Sequence, residues 1–320
     1  MIHVMAGVMV DAGGRVLLAQ RPPGKHLAGL WEFPGGKLEP GELPGPGLIR
    51  ELQEELGVTA EVAEPLIRVP WQYDGRHLLL DAWMVRRWEG EAGSLEGQAL
   101  QWLAPSAVDP AMLAPADRPI LQALRLPSRY LITPADLAPE ASEICAQMLR
   151  DGLVRGERLV QLRLPLWPLP LVRKLAAELA PLARQLGATL VLNSDVEGVR
   201  ELGQGVGVQL KASQLMVLNE RPLPLNQLVG ASCHDAAELA HASSLHIDFA
   251  TLSPVAATAS HPNVTPMGWD EFQCLVGVAS LPVYALGGMQ AADADQARAV
   301  GGQGVAGIRG FFGDGFASRG

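Results

Sequence analysis

Residues 36–58 read GKLEPGELPGPGLIRELQEELGV. Within this run Glu51, Glu54 and Glu55 are spaced i, i+3 and i+4, so a helix places all three carboxylates on one face. Anions that close repel one another, which costs stability and raises at least one pKa. A hard divalent cation removes the conflict: Mg²⁺, with Mn²⁺ as the alternative, prefers oxygen ligands and bridges to substrate phosphates. Pro44 and Pro46 fall in the first helical turn, where backbone N–H groups lack intrahelical partners, and so mark a start rather than a break. Gly45 and Gly47 each cost about 1 kcal/mol relative to Ala, which predicts a frayed first turn, and Gly57 supplies the stop. The competing reading of RELQEELG is an ordinary charged helix with a solvated face. Against it stands the full pattern of Gly36, Glu42, Arg50, Glu51, Leu52, Glu54, Glu55, Gly57 and Val58, behind the loop Glu32-Phe33-Pro34-Gly35-Gly36-Lys37.

Outward from this segment the chain changes character near Leu126-Pro127-Ser128, which implies domains at residues 1–126 and 129–320. Before the linker, strand-like runs at Val4 to Val10, Arg15 to Gln20, Leu78 to Arg86 and Leu100 to Leu103 accompany the acidic helix and a last helix at Arg118 to Leu126. That order suits an α/β/α sandwich with a mixed sheet. After it, the runs YLIT, LVQLR, TLVLN, GVQL, LVGAS, HIDFATL, PVYALGG and GVAGI alternate with Ala/Leu-rich helical stretches. Strand and helix alternating in this way read as a (β/α)₈ TIM barrel. The chain is thus of the α/β class.

Composition narrows the function. At 320 residues and 48% hydrophobic, the chain can bury two cores. No apolar run approaches the roughly 20 residues of a membrane span, and the opening MIHVMAGVMVDAGG is unlike a targeting peptide, so a cytoplasmic protein with no membrane partner is expected. A net charge of −9 argues against gripping a nucleic-acid polymer. Cys145, Cys233 and Cys274 form no CxxC pair and read as core thiols.

Residues 36–58 resemble a complete Nudix box, and residues 1 to about 126 resemble the MutT type of Nudix enzyme, which hydrolyses 8-oxo-dGTP to the monophosphate and pyrophosphate. The likeness runs through QRPPGKHLAG, WEFPGGKLEPGE, RRWEGEAGSLEGQALQW and APADRPIL. It implies a nucleoside triphosphate substrate, with metals held by Glu51, Glu54, Glu55 and the Gly35 carbonyl. Glu96 in the LEGQ loop would be a further ligand or base, and Arg50 would orient Glu51. Glu51 is the preferred base and Glu96 the second. The resemblance also places Arg21 at a phosphate contact and Arg76 at a base contact, with Phe33 and Lys37 in the binding loop. Where the family has a base-reading asparagine, this chain has Asp117. An ionised Asp can only accept hydrogen bonds, whereas a protonated one mimics Asn. Base reading by Asp117 and a plain capping role both remain open.

From Arg129 onward the chain resembles thiamine-phosphate synthase and the related thiazole tautomerase. Gly287-Gly288 after a late strand offers backbone N–H groups to phosphate, and Gln161, Arg163 and Asn193 lie near strand ends. His234 matches a proton-transferring histidine of the tautomerase, with a loop or capping role as the alternative. The polar positions tell against the synthase: Ser194 and Gln214 stand where the resemblance implies acidic metal ligands, and Pro165 and His261 where it implies lysines. The implied ligand is a phosphorylated small molecule. Three readings follow: a sanitising diphosphatase with a regulatory or vestigial barrel, which is preferred; a thiamine-metabolism enzyme acting on a pyrimidine or thiamine diphosphate; and a hydrolase with a ligand-binding or dimerising barrel.

Overall fold

The computed structural model describes residues 1–73, 75–258 and 264–311, and the chain divides into two compact units, Met1–Arg125 and Leu126–Gly320. Among the described residues no helix is long and apolar enough to cross a membrane.

The first unit runs β1 (Ile2–Met9), β2 (Val16–Gln20), β3 (Trp31–Glu32), α1 (Pro44–Leu56), β4 (Thr59–Tyr73), β5 (Arg76–Glu89), β6 (Leu100–Leu103) and α2 (Arg118–Arg125). β1 lies parallel to β5, and β4 pairs antiparallel with β5 on its other side, so this sheet is mixed; β3, β2 and β6 form a second, antiparallel sheet. Side chains alternate across a strand, and β1 uses both faces. Met5 and Met9 pack in one core with Leu48, Leu52 and Leu56 of α1, while Ala6 and Val8 pack in the other with Ile120 and Leu121 of α2. A helix therefore covers each face.

β4 escapes a reading of the sequence because Pro65 and Pro70 interrupt its pattern. It is an edge strand, where a missing N–H is tolerated, and its register with β5 shifts between Ala60 and Val62 and again between Pro65 and Ile67. The expected fraying of α1 is also corrected. Its first turn closes, with Gly47 N–H donating to the Leu43 carbonyl at 3.0 Å. A Cβ on Gly47 would lie 2.1 Å from Leu38 Cδ2 and 2.9 Å from Glu42 Oε2, so the glycine admits the chain that packs over the helix start. Gly57 ends α1 at φ 73°.

The second unit alternates strand and helix: β7 (Arg129–Ile132), α3 (Ser142–Arg155), β8 (Leu159–Leu162), α4 (Leu169–Gln185), β9 (Thr189–Asn193), α5 (Val196–Leu202), β10 (Val206–Leu210), α6 (Ala212–Leu215), β11 (Val229–Cys233), α7 (Ala236–Ser244), β12 (Phe249–Leu252), α8 (Gly268–Val276), β13 (Val283–Leu286), α9 (Ala294–Ala299) and β14 (Gly304–Gly307). All pairings are parallel, and β14 pairs with β7 to close the barrel. Tyr130, Phe249 and Tyr284 fill its interior, with ring centroids 5.4–5.7 Å apart. Gln209 is buried beside them, accepting from the Tyr130 hydroxyl and donating to Ser232 and Thr251.

Candidate active site

α1 is amphipathic: its Leu48–Leu52–Leu56 stripe is buried, Glu51 and Glu55 flank that stripe, and Arg50 and Glu54 lie opposite it. A cleft of about 160 Å³ opens over the glutamates, lined by Glu51, Glu54, Glu55, Gly35 and Glu96, with Arg21, Lys25 and Glu32 at its other wall.

Arg50 organises the carboxylates. It donates to both oxygens of Glu42 (2.9 and 2.8 Å), to Glu51 (2.8 Å), to Glu54 (3.1 Å) and to the Lys37 carbonyl (3.1 Å). The Arg50 hydrogen bonds, followed by the Glu39 N–H, hold the Glu42 carboxyl down at about 2. Glu51 comes close to the loop only because residue 36 is glycine, since a Cβ there would sit 2.0 Å from Glu51 Oε2.

Glu55 is the carboxyl whose pKa rises, to about 7, and burial is the main cause. The Glu32 and Glu96 charges add to it, against hydrogen bonds from Gly35 N–H (2.8 Å) and Gln98 Nε2 (3.1 Å). The rise comes from burial and from Glu32 and Glu96, not from the neighbouring carboxylates of α1 as the sequence suggested. Among the described residues no group of three or more His, Cys, Asp or Glu is drawn together as a metal cluster. The expected ligand set therefore shares a cleft without forming a cage. Its donors are nonetheless all oxygen, and a carboxyl held partly protonated near neutrality is one that a cation can occupy in the proton's place, so the residues fit a hard divalent ion.

Beside the cleft, Arg21 pairs with Glu32 and donates to the His26 carbonyl (2.6 Å). Asp117 is 5% exposed, and its Oδ1 accepts from Phe33 N–H at 2.9 Å. Burial pushes this carboxyl up to about 8; the Glu32 charge adds to the rise, and the Phe33 N–H and Arg21 oppose it. Two expected contacts lie elsewhere. Arg76 is exposed at the start of β5, on the hairpin that β4 and β5 form, and Lys37 is exposed with only its carbonyl engaged by Arg50; neither side chain lines the cleft.

In the barrel, Gly287 and Gly288 line a cavity of about 510 Å³ together with Asp136, Thr258 and Gln290. Gln161, Arg163, Asn193 and His234 do not line this cavity. Gln161 donates instead to Asn193 (3.0 Å), Arg163 N–H donates to the Thr133 hydroxyl (2.8 Å), and His234 pairs with Glu238 through Nδ1 (3.0 Å). Gln214 is spent on backbone, accepting from Lys211 N–H and donating to the Ser194 carbonyl. Ser194 and Gln214 are neutral, so neither offers the carboxylate a metal–diphosphate would need at those positions. His261 lies outside the described residues.

Residues 5–123 match the NUDIX domain family and residues 129–311 the thiamine monophosphate synthase family. A CTP pyrophosphohydrolase of Escherichia coli is 45% identical over 38% of this chain and 90% of its own length. The chain belongs to both families. An 8-oxo-dGTP diphosphatase of Escherichia coli is 32% identical over 39% of this chain and 96% of its own, and a thiamine-phosphate synthase of Laribacter hongkongensis is 33% identical over 51% and 81%. The Nudix domain is a hydrolase of phosphoanhydrides, and Nudix hydrolases generally need a divalent metal. Two residues that shape its cleft were not singled out from the sequence. Glu32 is a charge set between Trp31 and Phe33, which was the available signal for a half-buried carboxylate. Gln98 follows Glu96 by two positions; it accepts from Glu96 N–H and donates to Glu55, tying the Glu96 loop to α1.

The raised Asp117 carboxyl makes the Nudix domain's stability depend on pH. The unfolded chain ionises at the ordinary value of 3.8 and the folded one at about 8, so folding binds a proton between them. The stability contributed by the neutral carboxyl is complete below about pH 4 and is lost as pH rises through about 8. Asp117→Asn cannot ionise, and its melting temperature should gain on the wild type steadily across that window. A difference between the two that does not change with pH would show an unshifted carboxyl.

Proposed function

We propose that residues 1–126 form a Mg²⁺-dependent diphosphatase acting in the cytoplasm on the free nucleotide pool. Its substrate would be 8-oxo-dGTP, or a nucleoside triphosphate close to it, cleaved to the monophosphate and pyrophosphate. The observation that carries this reading is the carboxylate-lined cleft beside the buried Asp117 carboxyl, whose pKa burial pushes up to about 8. Glu51, Glu54, Glu55, Glu96 and the Gly35 carbonyl would hold the metal, which when bound polarises water and neutralises phosphate charge. Glu51 takes the proton from the attacking water, and Arg50 holds its carboxylate in place. Arg21 and Lys25, on the opposite wall, face the phosphates. Neutral Asp117 offers a donor and an acceptor side by side, as Asn does. It can donate to the guanine O6 and accept from the N7–H that only the oxidised base carries.

For the barrel, the reading is a module that binds a phosphorylated small molecule along Gly287-Gly288 and does not make thiamine phosphate. Titration of the full chain with thiamine phosphate by calorimetry tests it; absence of heat at millimolar ligand would remove the binding role.

Release of pyrophosphate from 8-oxo-dGTP, dGTP and CTP, and of orthophosphate from thiamine diphosphate, by the full chain with Mg²⁺ tests the hydrolase, with Glu54→Gln as the control. A preference for 8-oxo-dGTP that the control loses is the expected outcome. Faster cleavage of CTP, the substrate named for the 45% identical relative, would keep the chemistry and replace the base, and faster cleavage of thiamine diphosphate would move the domain to thiamine metabolism.

A further inference from the structure

Tyr73 ends β4 at the junction of three parts of the Nudix domain. Its hydroxyl accepts from Ala116 N–H at 3.0 Å, across 43 positions of sequence. Ala116 and Asp117 share one short 3-10 turn, Pro115–Asp117, that leads into α2. The Tyr73 ring meets His26 edge to face, with centroids 5.2 Å apart and planes at 66°, and lies 6.2 Å from the Trp71 ring. The carbonyl of that same His26 accepts from Arg21 Nε at 2.6 Å. Arg21 lines the cleft and pairs with Glu32. Direct contacts therefore run from the cleft wall through the His26 loop and the Tyr73 ring to the turn that carries Asp117.

The Asp117 carboxyl accepts from the Phe33 N–H on its Oδ1 at 2.9 Å, and its own N–H donates to the Ala114 carbonyl at 2.9 Å inside the turn. Neither bond ties the turn to β4. The Tyr73 hydroxyl supplies that tie through the backbone of the neighbouring residue. A phenylalanine here would keep the ring contacts and lose only this anchor.

We propose that Tyr73 is a specificity-determining positioning residue, whose hydroxyl holds the Asp117 turn in register with the base and whose ring couples that turn to the Arg21 side of the cleft. This rests on the reading of Asp117 as the base-reading group. The substrate class it serves is a nucleoside triphosphate whose base presents a donor and an acceptor side by side on one edge.

The experiment is a double-mutant cycle of Tyr73→Phe and Asp117→Ala in the full chain. It measures kcat and KM separately for 8-oxo-dGTP, dGTP and CTP, with melting temperature as a folding control. Tyr73→Phe should lower the ratio of kcat/KM between the preferred substrate and the poorest by roughly five- to tenfold, the worth of one neutral hydrogen bond. The change should sit in KM of the preferred substrate, and in the Asp117→Ala background Tyr73→Phe should do nothing more. If Asp117→Ala lowers discrimination and Tyr73→Phe does not, the Tyr73 role is overturned while the Asp117 reading stands. If neither changes it, both fall. A Tyr73→Phe effect that persists undiminished in Asp117→Ala would also overturn the proposal, because the hydroxyl would then act elsewhere.

Discussion

Glu51→Gln should retain about one thousandth of the wild-type kcat at saturating Mg²⁺, the loss expected when a positioned general base is removed, whereas Glu96→Gln should retain roughly a tenth or more. The asymmetry follows from how each carboxylate is held. Glu51 lines the cleft, accepts from Arg50 at 2.8 Å and backs onto Gly36, where no Cβ intervenes. Arg50 is in turn gripped by both oxygens of Glu42. A glutamine at 51 keeps the shape and can still turn its oxygen toward Arg50, so the loss reports the missing charge and proton acceptor. Glu96 sits exposed on its loop, tied through its own N–H to Gln98 rather than through its carboxylate. Near-normal turnover by Glu51→Gln, together with an inactive Glu96→Gln, would exchange the two roles.

Leu52→Ala should destabilise the Nudix domain by about 2–5 kcal/mol, the range for truncating a leucine in a packed core. Leu52 is fully buried between Leu48 and Leu56, and its Cδ2 lies so close to β1 that a Cβ on Gly7 would be 2.9 Å away. Met5 and Met9 of the same core are flexible enough to refill part of the space, so the lower half of the range is expected. Amide exchange in α1 should quicken roughly 30-fold or more, the equivalent of 2 kcal/mol of local stability. Turnover should fall as well, since Leu52 anchors the helix that carries the glutamates. Unchanged exchange across Leu48–Leu56 would mean that α1 does not depend on this contact.

These two expectations draw on features that differ in how far the sequence exposes them. α1 is readable because one segment contains its own start, its apolar stripe, its acidic side and its Gly57 stop. The barrel strands are readable for a related reason: they are buried and stand out as short apolar runs. β4 is not readable, since Pro65 and Pro70 are acceptable only at a sheet edge, and edge position is a property of the assembled sheet. Asp117 is the sharpest case. Its charge state depends on Glu32, Phe33 and Arg21, which lie more than eighty positions away in the chain, and on the burial they create together. Arg76 shows the converse, a position matched by resemblance whose side chain the hairpin leaves exposed. In the barrel, Gln161 and Asn193 were legible as polar groups near strand ends but not as partners of each other.

The pairing of β14 with β7 has a consequence for how the chain is made. The first strand of the barrel meets its partner only when residues 304–307 have left the ribosome, whereas every strand of the Nudix sheets is complete by residue 103. The hydrolase can therefore finish folding during synthesis, while β7 waits through the translation of some 170 further residues with one edge unpaired. An interruption after several barrel strands have been made but before residue 304 would release a folded Nudix domain attached to an open sheet with two bare edges, the form most prone to aggregate.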